Sequence, residues 1–397
     1  MYVEVRKAGF VNKGAELMLH AVLQQLAERY PDAKRVMEPG RPASPYPYAK
    51  RSELGLYQKA WLWRKGVPFG DLARLVPAGI REQYGVVLDS EIDVVLDAAG
   101  FAYSDQWGPE LSEELARSAR RWHARGTKVI LLPQAFGPFT DQRSKDAVKA
   151  FVEHCDLIYT REQISYEHLT GVVGEMDKIR LSPDFTNLVE GVVPKDFDAG
   201  RNRVCLVPNY RMLDKTDNSV AGGYVPFMQR VAKMLSERGA QPFLLVHEGE
   251  NDYRLAQQIA EAGGGLPIIQ ESDPLKIKGI LGQCQGTVGS RFHGLVSALS
   301  QGVPSLATGW SHKYRMLFAD YGFEEGVLNI DISDADLAGA LNHITDPQRH
   351  AQLSAQLNDH SSALKEKSHA MWREVFGVMD RCRAAQSAVA SREPTPA

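Results

Sequence analysis

Arg291 and His293, separated only by Phe292, put a guanidinium and an imidazole within reach of one another. An Arg makes planar bidentate contacts with carboxylate or phosphate, and a His, with an ordinary pKa of about 6.5, exchanges protons near neutrality. The pair follows the apolar run 284–289. Continued strand alternation predicts Arg291 and His293 on one side and Phe292 packed inward, with Gly294 opening an apolar helix whose N-terminus adds positive potential. The plainer alternative is an Arg in a salt bridge and a His capping the turn. Other runs end in similar fashion: 203–208 leads to Asn209 and Arg211, 242–247 ends at His247, and 304–308 leads to His312 and Lys313. In the first half, 2–8 leads to the glycine-containing stretch Gly9 to Glu16 with Asn12 and Lys13, 92–99 to Asp105, 127–133 to Gln134, and 156–160 to Arg161. Any one of these could simply open a helix or pair with a surface carboxylate.

What must position these residues is a pair of parallel sheets. Short β-branched runs alternate with longer amphipathic ones, the rhythm of βαβ units, and ligands of such sheets bind beyond the carboxyl ends of the strands. With 397 residues the chain exceeds one ordinary core, so two α/β domains are expected. Their boundary is placed near residue 195, in the polar stretch Val193 to Gly200. Residues 39–85 read as an insertion, with Tyr46, Tyr48, Tyr57, Trp61 and Trp63 among Lys50, Arg51, Arg64 and Lys65, suited to a phosphorylated sugar or to a small helical subdomain. Residues 384–397 read as a disordered tail.

The formal charge of −3 is well mixed along the chain and suggests neither nucleic acid nor an anionic membrane as partner. Cys155, Cys205, Cys284 and Cys382 are scattered without CxxC spacing, as expected of free thiols in a reducing cytoplasm. No apolar run approaches the ~20 residues that span a bilayer.

Taken in order, Gly9 to Glu16, Pro133 to Pro138, Thr160-Arg161-Glu162 with Ser165, Ser182-Pro183-Asp184, Pro208-Asn209, and Ser290 to Gly294 through Gly302-Val303-Pro304 to Lys313 resemble the polysaccharide pyruvyl transferase family. The resemblance implies two Rossmann-like domains facing across a cleft, as in GT-B enzymes. It implies phosphoenolpyruvate as donor, with Arg291 and His293 matching the family's Arg-x-His and helping to bind it, and Arg161 as a further anion contact. His293 is the candidate general acid, Arg291 its catalytic neighbour, and His247, His312 and Lys313 complete the donor side. Asn12, Lys13, Asp105, Gln134, Asn209 and Arg211 are the acceptor-side candidates, the first domain carrying most of them. The expected reaction forms a pyruvate ketal on a polysaccharide or its precursor. It needs no redox cofactor and, on these residues, no metal. Expected partners are phosphoenolpyruvate and a sugar acceptor, lipid-linked or not. Homo-oligomerisation is left open, and so is peripheral attachment at the inner membrane face. A nucleotide-sugar glycosyltransferase is the competing reading, and a non-catalytic sugar-binding protein a third.

Overall fold

The computed structural model describes residues 1–41, 44–61, 63–64, 67–309 and 312–390. The chain forms two compact units. The first comprises Met1–Phe10, Met18–Phe185 and the chain from Lys367 onward; the second comprises Val11–Leu17 and Thr186–Glu366.

The first unit is built on eight strands: β1 (Tyr2–Arg6), β2 (Lys34–Met37), β3 (Tyr57–Lys59), β4 (Val86–Val87), β5 (Val94–Asp97), β6 (Lys128–Gln134), β7 (Leu157–Thr160) and β8 (Ile179–Leu181). They pair in parallel in the order β8-β7-β6-β5-β1-β2-β3-β4. The chain thus winds outward from β1 on one side and returns beside it at β5, a reversal that opens a crevice at the carboxyl ends. The second unit holds β9 (Val204–Val207), β10 (Pro242–Val246), β11 (Ile268–Gln270), β12 (Gly286–Gly289) and β13 (Ser305–Ala307), parallel in the order β11-β10-β9-β12-β13. Its reversal lies between β9 and β12. Every residue of β5, β9 and β10 is buried, which is why these segments are apolar on both faces: helices cover the sheet above and below.

Helix starts are written in the sequence. Asp141 accepts a hydrogen bond from Ser144 N (3.3 Å) at the head of Gln142–His154, and Glu162 accepts one from Ser165 N (3.0 Å) at the head of Gln163–Val173. Asp217 and Ser333 cap Asn218–Glu237 and Asp334–Thr345 in the same manner.

The eight strand runs read from the sequence are all strands, with ends shifted by at most two residues. Strands β2, β3, β4, β8 and β11 were not anticipated; they are two to four residues long, and four of them carry Lys, Arg or Gln. Residues 39–85 supply β3 to the main sheet and lead into β4, and also carry helices Tyr48–Glu53 and Ala78–Gln83; Lys65 lies outside the described residues. The division between units falls at Phe185/Thr186 and not near 195. The physical reason is that the polar stretch docks on the second unit: Val192 N donates to Leu275 O (2.9 Å) and the Phe197 ring meets Phe243 at 5.9 Å. The expected tail is also corrected. The last helix, Pro347–Ala390, runs through residues 384–390, with Trp372, Val375 and Met379 buried, while 391–397 lie outside the described residues. All four cysteines are free and buried. Among the described residues no helix is long and apolar enough to cross a membrane.

Candidate active site

In the second unit the carboxyl ends of β9, β10 and β12 bring Asn209, His247 and the 290–293 turn together. Strand β12 stops at Gly289, and helix Phe292–Leu299 starts two residues before the expected Gly294, so Arg291 is its N-cap rather than a strand residue. Phe292 is buried as expected, edge-on to Tyr314 with centroids 6.0 Å apart. The turn is braced through Ser290. Its carbonyl accepts from Asn209 Nδ2 (2.7 Å) and from the Tyr314 hydroxyl (2.9 Å), and the Tyr224 hydroxyl donates to its Oγ (3.0 Å). Asn209, assigned from sequence to the acceptor side, is therefore a buried brace of the Arg-x-His turn.

Arg291 is 9% exposed, and its terminal nitrogens meet Glu248 and Asp252. The bidentate contact expected with a donor anion is thus made with the protein's own carboxylates. A guanidinium withdrawn from water needs a countercharge, and these two residues, four apart at the start of helix Gly249–Ala262, supply it. That spacing was the available signal for this pair, which sequence reasoning missed. Burial lowers the Arg291 pKa to about 10, against the opposing pull of Tyr314 and Tyr224. Burial likewise raises the Asp252 carboxyl to about 6, although Tyr210 N (2.8 Å) and Arg211 favour its ionised form. Among the described residues Arg291 Nε has no hydrogen-bond partner.

His293 stands against Gly14. A methyl group there would collide with the imidazole, so the close approach requires glycine. Lys13, the next residue back, forms an ion pair with Glu16 at 2.5 Å. Neither ring nitrogen of His247 has a hydrogen-bond partner among the described residues, and its pKa is lowered to about 3, first by burial and then by the charges of Arg291, Lys13 and His293. Lys13, Arg291, His247 and His293 consequently form one electrostatic cluster. Lys313, in the first turn of helix His312–Asp320, holds its ammonium over the rings of Phe292 (5.4 Å) and Tyr314 (5.5 Å). Arg211 is exposed and pairs with Asp214 at 2.5 Å. Asn12 accepts from Ala15 N (3.0 Å), the bond of a helix cap.

Three further candidates belong to the first unit and are committed to its frame. Arg161 is 6% exposed and paired with Asp184 at 3.1 Å. Gln134 is fully buried, 3.4 Å from Asp97. Asp105 takes the backbone and side chain of Thr140, and these bonds outweigh burial, so its pKa is lowered. The motifs in this unit brace one another: Phe136 N donates to Ser165 Oγ (2.8 Å), and Arg161 N donates to Gln134 O (3.0 Å). Among the described residues no group of three or more His, Cys, Asp or Glu is arranged to hold a metal ion.

Two units, each a parallel sheet wound outward from a central reversal, define a Rossmann-like α/β protein of the GT-B kind. Anabaena HepE in complex with UDP is similar over 95% of this chain and 99% of its own, at 14% identity and a TM-score of 0.58. The UDP-GlcNAc 2-epimerase from Neisseria meningitidis bound to UDP-GlcNAc is similar over 95% and 100%, at 8% identity and a TM-score of 0.57. At such identities the likeness is one of fold. The family comes from the sequence itself: residues 12–312 match the polysaccharide pyruvyl transferase model, and the chain belongs to that family.

Proposed function

We propose that this transferase moves the pyruvyl group of phosphoenolpyruvate onto two hydroxyls of a sugar, releasing phosphate. What supports the reading, beyond family membership, is the cluster of Lys13, Arg291 and His293 around the neutral His247 in the second unit. Phosphoenolpyruvate packs a carboxylate and a phosphate on a three-carbon frame, and several donors at fixed spacing suit it. Lys13, Lys313, His293, the free Nε–H of Arg291 and the N-terminus of helix Phe292–Leu299 offer that set.

In the chemistry we assign, His293 donates a proton to the methylene carbon and the adjacent carbon becomes electrophilic. A sugar hydroxyl attacks there, and its proton restores the acid. The carbon–oxygen bond to phosphate then breaks, a second hydroxyl closes the ketal, and its proton leaves with the phosphate. His247 remains unprotonated at neutral pH and serves as a hydrogen-bond partner for a donor oxygen that is itself protonated, or for an ordered water. Arg161, buried against Asp184, acts in this reading on the frame of its own unit.

The UDP named with the fold neighbours favours one alternative, transfer from a nucleotide sugar. Thermal unfolding separates the two readings. Phosphoenolpyruvate should raise the melting temperature by mass action and UDP should do so less. Incubation with phosphoenolpyruvate and a panel of sugar acceptors should give the mass of a pyruvyl ketal. Stabilisation by UDP, with none by phosphoenolpyruvate and no ketal, would overturn the proposal.

A further inference from the structure

The first unit holds a cavity of about 620 Å³ at the carboxyl ends of β1 and β2, beside the reversal between β1 and β5. Of the residues read above as sugar-binding, only Tyr46 and Trp61 line it, and none of the donor-side residues does. We propose that it binds an uncharged sugar ring; that the ring belongs to the acceptor rests on the pyruvyl-transfer reading.

Three observations carry the proposal. First, Arg6 lines the cavity at 2% exposure with a donor to spare. Its Nη2 reaches Glu114 Oε2 at 2.6 Å and its Nε lies 2.9 Å from Asp97 Oδ2, while Nη1 is buried without a hydrogen-bond partner among the described residues. A buried N–H left unpaired costs about 1–3 kcal/mol, so the site is completed by a ligand or water that accepts from it. Second, the charges of the described lining residues cancel. Arg6, Lys7 and Arg117 face Glu38, Glu110 and Glu114. A phosphate or carboxylate gains no net attraction there, whereas hydroxyls, which donate and accept at once, find both kinds of partner. Tyr46 and Trp61 add the flat faces on which a pyranose lies. Third, Lys7 adopts φ 62°, the left-handed region that a side chain other than glycine or asparagine rarely takes. Strain of this kind collects at binding sites, where the surroundings hold it in place. The volume falls within the ~300–1,000 Å³ usual for small-molecule sites.

Saturation-transfer NMR on the intact chain tests this with methyl glucoside, methyl galactoside, methyl mannoside and methyl N-acetylglucosaminide, and with glucose 1-phosphate as the charged comparison. At least one neutral glycoside should receive saturation at its ring protons. The signal should fall several-fold in Trp61→Ala and in Glu110→Gln and persist in Trp107→Ala, whose indole lies outside the cavity. Glu110 is mostly exposed, so its variant tests the site even if Trp61→Ala fails to fold. No transfer from any neutral glycoside, equal transfer in the folded variants, or stronger transfer from glucose 1-phosphate overturns the proposal. These outcomes leave the donor reading intact, because that reading is judged by phosphoenolpyruvate stabilisation and ketal formation. Glycoside binding without any phosphoenolpyruvate effect upholds the site and removes its acceptor role.

Discussion

His293, His247 and Arg291 make different demands on the same few ångströms. If His293 supplies the proton, His293→Gln keeps shape and some hydrogen bonding, and kcat and kcat/KM should fall together by ~10²-fold or more, with a melting temperature close to the parent's. A fall in stability with normal turnover per folded molecule would return His293 to a turn-supporting role. His247 yields a pH prediction. Its folded pKa, lowered to about 3, lies below the ordinary histidine value of 6.5, so between those limits the unfolded chain holds more protons and stability declines as pH falls. His247→Asn should reduce the slope of stability against pH in that window by up to about one proton, measured by urea unfolding at a series of pH values. Asp252 acts in the opposite sense. Its raised folded pKa of about 6 makes stability fall as pH rises above the ordinary aspartate value, so comparing Asp252→Asn with Asp252→Asn/His247→Asn isolates the histidine. Arg291→Ala leaves the carboxylates of Glu248 and Asp252 without their cation, and removing one partner of a buried pair costs about 3–5 kcal/mol. Denaturation of that variant should show the loss in the second unit before any donor is added.

At the scale of elements, the first turn of helix Lys13–Arg29 is pressed against the Arg-x-His turn through Gly14. Gly14→Ala should displace the imidazole and lower kcat/KM by about 10²-fold, since an ångström of misplacement at a reacting group has that effect. Gly171→Ala, at a helical glycine with open space around it, should not. How far the sequence disclosed these relations depended on what carries them. Strands buried on both faces announce themselves as apolar runs, and β9, β10 and β12 with their strand-end residues were legible for that reason. The two-residue β4 and the Tyr-Gln-Lys of β3 offer no periodicity to read. Arg291 was visible as a candidate site residue, but its carboxylate partners come from another βα unit, and only the fold brings that unit alongside. Gln134 and Arg161 stood at the expected strand ends; that both would be buried in hydrogen-bonded frames follows from side-chain packing and not from position along the chain.

For the molecule as a whole, the last helix matters more than its polar sequence indicates. Its segment from Lys367 belongs to the first unit, where the Trp372 indole packs edge-on against Phe185 (6.2 Å), Tyr30 donates to Asp380 (2.7 Å), and Glu374 accepts from the Tyr159 hydroxyl. Trp372→Ala should cost about 3–5 kcal/mol. Because two units need not unfold together, hydrogen exchange is the better readout: protection should drop across β7 and helix Lys13–Arg29 beyond Leu17, and hold in β9 to β13. The same anatomy bears on how the protein is made. A ribosome delivers residues in order, at about 5–20 per second, and domains tend to fold as they emerge. Here the first unit has residues on both sides of Thr186–Glu366, so the second unit has all its described residues first, and the first sheet waits, incompletely covered, until residues around Trp372 have left the exit tunnel. A premature stop between residues 190 and 366 would therefore leave the first unit without its closing helix, whatever the length of the second unit already made.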